Sequence, residues 1–196
     1  MTYPLLTHLL TQVRACELCA THLPNPPKPV IRVGFNAKIL IVGQAPSTRV
    51  HATGLSWNDA SGKRLREWLQ IDPEIFYNTD YCSIMPMGLC YPGRGKSGDL
   101  APRPECAPLW HPQVLAQLPQ IQLKLLIGQY AQHYYLGNKC CKTLTENIKQ
   151  WQTFLPDYLP LPHPSPRNQL WLKRNPWFEQ EVVPVLRQRV KELIAL

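Results

Sequence analysis

The sequence predicts an α/β protein: a three-layer α/β/α sandwich around a central four-stranded parallel sheet. Three observations predict it. Short apolar runs alternate with stretches of helical periodicity, as in strands joined by crossover helices. Two of the runs, Lys38–Gly43 (KILIVG) and Leu123–Gly128 (LKLLIG), are near-continuous and end at glycine, as strands buried on both faces do. The 196 residues, 44% hydrophobic and 17% charged, are enough for one packed core, so residues 1–196 read as a single domain.

The elements follow in order. Leu5, Leu6, Leu9, Leu10 and Val13 recur at helical spacing, and no basic segment precedes them, so the N-terminus reads as an amphipathic helix and not a secretion signal. The first strand, 38–43, opens into a long polar loop, 43–65. A helix begins at Ser61 (SGKRLREWLQ), with Leu65, Trp68 and Leu69 on one face. The second strand is Cys82–Met87, followed by the helical HPQVLAQL (111–118). The third strand, 123–128, is followed by YAQHYYLG (130–137) and TLTENIKQWQTFL (143–155). Tyr158–Leu161 is the fourth strand. A last helix runs over 175–196, with Asn175 as N-cap and Pro176 at the first helical position. The 21 prolines gather in the connectors LPNPPKP, LAPRPECAP and LPLPHPSP. No apolar run reaches the roughly 18 residues of a membrane span.

Parallel sheets bind ligands beyond the carboxyl ends of their strands. That directs attention to the loops after Gly43, Met87, Gly128 and Leu161. The first contains neither a phosphate-binding G-x-x-x-x-G-K-[ST] nor a dinucleotide G-x-G-x-x-G. In the last, LPLPHPSPRN (159–168), Pro162 and Pro164 fix the backbone on both sides of His163. Ser165 offers a donor for a phosphate, and Arg167 brings positive charge. The net charge of +8, with Arg64, Arg66, Arg94, Lys96, Arg103, Arg167, Lys173 and Arg174 in or beside loops, favours a polyanion such as nucleic acid. Seven cysteines, an odd number without an export signal, argue against a disulfide framework. Cys16-x-x-Cys19 reads instead as a metal site or as a redox pair. The expectation is a cytoplasmic monomer.

GQAPS (43–47), TGLSWNDASG (53–62) and HPSPRN (163–168), in that order, resemble the two signature motifs of the uracil-DNA glycosylase superfamily. The similarity is to its iron–sulfur branches, families 4 and 5, and runs from Cys16 to about Asn168. It implies a DNA glycosylase that flips a base from the duplex and hydrolyses its N-glycosidic bond. It implies a role for each residue. His163 stands beside the base carbonyl oxygen, and Trp57 takes the place of the aromatic that stacks on the base. The amides of Gln44 and Ala45 are oxyanion-type donors. Asp59 is the carboxylate that positions water, with His51 as second choice. Cys16, Cys19, Cys90 and Cys106 match the four thiolates of a [4Fe-4S] cluster, and a structural zinc on the same sulfurs is the alternative. Cys82, Cys140 and Cys141 are left over. The Gly-rich stretch 90–106, with Arg94, Lys96 and Arg103, becomes a DNA-backbone loop, joined at the phosphates by Ser165 and Arg167.

Each residue also has a plainer reading: Trp57 in the core, Asp59 as a helix cap, His163 satisfying a carbonyl. Two departures bear on activity. Gln44 replaces the glutamate of family 4, and Ala45 stands where family 1 carries its aspartate. Pro86 stands where uracil readers carry an asparagine, so the base is uracil or a modified or deaminated relative such as hydroxymethyluracil or hypoxanthine. A nucleic-acid binding or sensing module with catalysis lost, and a hydrolase of small nucleoside-like substrates, remain open.

Overall fold

The computed structural model describes residues 3–96 and 98–194. The outermost parts of the two terminal helices read from the sequence (1–2 and 195–196) and Ser97 lie outside the described residues. In chain order the elements are α1 (Pro4–Arg14), β1 (Ile39–Val42), α2 (Thr48–Thr53), α3 (Ala60–Leu69), α4 (Pro73–Tyr77), β2 (Cys82–Ile84), β3 (Arg94–Gly95), β4 (Gly98–Asp99), α5 (Cys106–Ala116), β5 (Leu123–Ile127), α6 (Gln129–Leu136), α7 (Leu144–Lys149), β6 (Tyr158–Leu161), α8 (Gln169–Arg174) and α9 (Val183–Ile194).

The four predicted strands form one parallel sheet in the order β2-β1-β5-β6. Ile41 pairs with Ile84 on one side and Leu125 on the other, and Ile127 pairs with Leu161. Alternate residues of β1 face opposite layers. Ile39 and Ile41 join Leu65, Phe76 and Phe178 in one core, while Leu40 and Val42 join Val13, Val114 and Leu126 in the other. Both faces of the sheet are therefore dry, which is why its strands read as unbroken apolar runs. Pro160 is accommodated because β6 is an edge strand.

Several boundaries differ from the sequence reading. The second strand stops at Ile84, although Met85 and Met87 still donate to the Ile41 and Gly43 carbonyls; Pro86, between them, is at an outward-facing position of an edge strand, where no N–H is needed. The helix after it begins at Cys106, five residues before the predicted start. The predicted 143–155 helix is split into α7 and a 3₁₀ turn, Trp151–Phe154. Asn175 does not cap the last helix. That helix opens with a π-helical turn, Phe178–Val182, and the Asn175 side chain donates to the Trp171 carbonyl and accepts from the Trp177 indole. The short helices α2, α4 and α8 and the β3–β4 hairpin add to the elements read from the sequence.

Candidate active site

The loops after β1, β2 and β6, the start of α3 and the β3–β4 hairpin converge on one cavity of about 560 Å³. Gln44, Ala45, Trp57, Asp59, His163, Ser165, Arg167 and Arg94 all line it. Lys96 is exposed on the hairpin turn and is not in the lining. His51 is also outside it. Its ring packs 6.0 Å from Tyr91, and its carbonyl accepts from Lys28.

The neutral ring of His163 has a defined tautomer. The Ser165 amide donates to its Nδ1 at 3.2 Å, so Nδ1 is an acceptor and the neutral ring carries its proton on Nε2. Burial pushes the imidazole below its ordinary value, and the Asp59 carboxylate pulls the other way. The loop around it is tied down: the Asn168 amide donates to the His163 carbonyl at 2.8 Å, and Arg64 reaches the Ser165 carbonyl at 3.4 Å. The Ser165 hydroxyl accepts from the Arg167 amide, leaving its own proton for an outside acceptor.

The Trp57 ring lies 5.6 Å from the His163 ring, inclined by 33°. Its backbone is left-handed, φ 59°, which costs a bulky residue on the order of 1–2 kcal/mol. Two glycines make the position possible: a Cβ at Gly43 would meet the Trp57 ring at 2.8 Å, and one at Gly62 would collide with the Trp57 carbonyl. Asp59 caps α3, its Oδ1 accepting from the Gly62 amide at 2.9 Å, and it faces the cavity as well. The capping and cavity-facing readings of Asp59 thus coexist.

The wall after β2 carries no free amide among the described residues. Met85, Met87 and Gly88 donate to the carbonyls of Ile41, Gly43 and Gln44, and Pro86 has no N–H. The Pro86 carbonyl accepts from Nε2 of His111 at 3.1 Å, and Nδ1 of His111 meets the Tyr135 hydroxyl at 2.7 Å. His111 is fully buried, and desolvation lowers its pKa to about 4. No motif or spacing in the sequence points to this support. On the other side, the amides of Gln44 and Ala45 donate to nothing among the described residues. The Gln44 side chain donates to the Leu100 carbonyl at 2.9 Å and so holds the hairpin to the cavity. The Arg167 guanidinium lies against Gly98 on the same hairpin.

A second, smaller cavity gathers Cys16, Cys19, Cys90 and Cys106 with Arg103 and Trp110. The Trp110 indole donates to Cys16 Sγ at 3.4 Å, and the Leu89 amide donates to Cys106 Sγ at 3.3 Å. Burial pushes the Cys106 thiol up to about 12 and also raises Cys19 and Cys90, and nearby thiols add to these three shifts. Among the described residues, no three His, Cys, Asp or Glu side chains are gathered as ligands of a single ion. Four cysteines line this cavity, and N–H donors meet the sulfurs of two of them, so these are the residues that could hold a sulfur-ligated group. Cys82, Cys140 and Cys141 are elsewhere and unpaired by disulfides.

A histidine, an aromatic ring and basic side chains meet in one pocket at the carboxyl ends of a parallel sheet, where ligands of such sheets bind. The chain belongs to the uracil DNA glycosylase superfamily, whose family model matches residues 32–187. The superfamily inferred from the motifs is borne out. Among solved structures, the chain is similar to a candidate uracil DNA glycosylase from Methanosarcina acetivorans. The two are 20% identical, the match covers 80% of this chain and 93% of that one, and the TM-score is 0.42.

Proposed function

We propose that this chain is a monofunctional DNA N-glycosylase, acting in base excision on uracil or a related damaged or modified base. The observation that carries the reading is the His163–Trp57 pair: a neutral imidazole with its Nε2 proton available, beside an indole face, in one cavity. The bond to be broken leaves negative charge on the base and positive charge on the sugar. Trp57 stacks on the flipped base. His163 donates from Nε2 to a base carbonyl oxygen, and the bond strengthens as that oxygen gains charge. The amides of Gln44 and Ala45 are further donors to the base. The Asp59 carboxylate offsets the sugar cation and orients the attacking water. Arg94, Lys96, Ser165 and Arg167 supply the phosphate contacts.

His163 and Pro86 follow β6 and β2 and line the same cavity. Among the described residues the Pro86 wall has no free amide to offer a base, which supports a base beyond uracil alone.

The four-cysteine cavity is read as the seat of a [4Fe-4S] cluster. Cys16, Cys19, Cys90 and Cys106 would hold it, and it would serve as a structural cross-link, away from the lining of the base cavity.

The test is a base-release panel on single-stranded and duplex oligonucleotides carrying uracil, hydroxymethyluracil, hypoxanthine or xanthine. Release of at least one base is expected. No release from any substrate, with salt-sensitive DNA binding retained, would favour the binding module, for which the Gln44 side chain tied to Leu100 is the supporting observation.

A further inference from the structure

Among the described residues, two that are not glycine have positive φ, Trp57 and Gln70. Gln70 is the left-handed C-cap of α3, an ordinary helix ending. Trp57 has no such excuse. Its turn persists because the surroundings over-determine it. Arg66 Nη1 donates to the Trp57 carbonyl at 3.1 Å, and the Tyr77 hydroxyl donates to the Ser56 carbonyl at 2.8 Å. Both carbonyls of the strained turn are therefore held by side chains from α3 and α4. The holders are braced in turn. The Arg66 guanidinium lies over the Phe76 ring at 5.3 Å and the Tyr77 ring at 5.8 Å, and Phe76 is fully buried. Gly43 and Gly62 leave room for the ring and the carbonyl and direct neither.

We propose that Arg66 is a positioning residue for base stacking: by gripping the Trp57 carbonyl from a rigid aromatic platform, it locks the left-handed turn that stands the indole beside His163. The inference rests on the reading of the cavity as a base pocket. Arg66 carries a charge that a surface reading would assign to DNA phosphates. Its Nη1 is instead spent within the chain, on the Trp57 carbonyl and the Tyr77 hydroxyl. Without it the peptide relaxes toward ordinary φ, and the indole leaves the wall.

The test is a double-substitution cycle. Arg66→Met keeps the packing stem and removes the donors. Trp57→Gly removes the ring and accepts positive φ without strain. Binding of a single-stranded oligonucleotide with an uncleavable 2′-fluoroarabino-uridine is read by fluorescence anisotropy, and kcat and KM are read on its cleavable counterpart. In the Trp57 background, Arg66→Met is expected to weaken binding and raise KM roughly tenfold, the loss of about one base–aromatic stack. Arg66→Lys, which keeps a donor, recovers part of the loss. In the Trp57→Gly background, Arg66→Met has no further effect. An equal loss in both backgrounds would make Arg66 a phosphate contact or a general stabiliser and overturn the proposal. So would no loss in either. If no oligonucleotide binds or releases a base, the functional reading fails, and near-UV circular dichroism still decides the lock. The signal to follow is the difference between the natural protein and its Trp57→Gly variant. That difference collapses when both also carry Arg66→Met if Arg66 holds the ring, and persists if it does not.

Discussion

His163 carries the most specific electrostatic expectation. Its neutral form is the one with an Nε2 donor beside an Nδ1 acceptor, and burial holds its pKa below the ordinary value of about 6.5. The rate should therefore be flat through neutrality and fall as pH drops through that lowered pKa. Asp59 favours the imidazolium, so Asp59→Asn should move the acid limb to lower pH whatever it does to the maximum rate. Asparagine caps a helix as well as aspartate does, so the fold tolerates the change. A limb that stays put, measured as kcat against pH, would separate the two groups. His163→Ala should lower the maximum by roughly 10²-fold or more, as removal of one preorganised donor does. His163, Trp57 and Asp59 are legible in the sequence because a motif marks them. Arg66, Tyr77 and His111 are not, because each acts on a carbonyl distant in sequence (Arg66 on Trp57, His111 on Pro86) and no local pattern announces such a pairing.

At the scale of elements, the strands are legible because burial on both faces leaves little room for polar residues. The short helices α2, α4 and α8 span five or six residues each, too few for a periodic signal. The last helix misleads through its Asn-Pro start, which describes a cap position that the π turn then overrides. The 90–106 segment is the element with most at stake. Its ends are Cys90 and Cys106, and its hairpin is held by Gln44. Protein purified without oxygen should carry iron and sulfide and absorb broadly in the visible. Removing the iron by chelation should expose residues 93–104 to limited proteolysis while the sheet stays folded. A colourless preparation with stoichiometric zinc would assign the sulfurs to zinc.

At the scale of the whole molecule, His111 couples stability to acidity. The unfolded chain binds its proton near pH 6.5, and the native protein only at about 4. Stability from this residue is complete above pH 6.5 and declines as pH falls toward 4, by roughly 3 kcal/mol in total. Urea midpoints followed over that range should fall more steeply for the natural protein than for His111→Gln. Equal slopes would mean that the ring takes a proton without unfolding the wall behind Pro86. The three-layer architecture and the position of the pocket are readable from the chain alone, since the order of strands and loops dictates both. The two-sided bracing of the pocket is not, because it depends on which buried groups meet once the layers close.

The amide that sets the His163 tautomer belongs to the main chain of Ser165. Nineteen of the twenty residue types would supply the same N–H, and only proline would withhold it. The proton state of the ring is therefore insulated from substitutional drift at position 165, and the side chain there is free to diverge with the nucleic acid it meets.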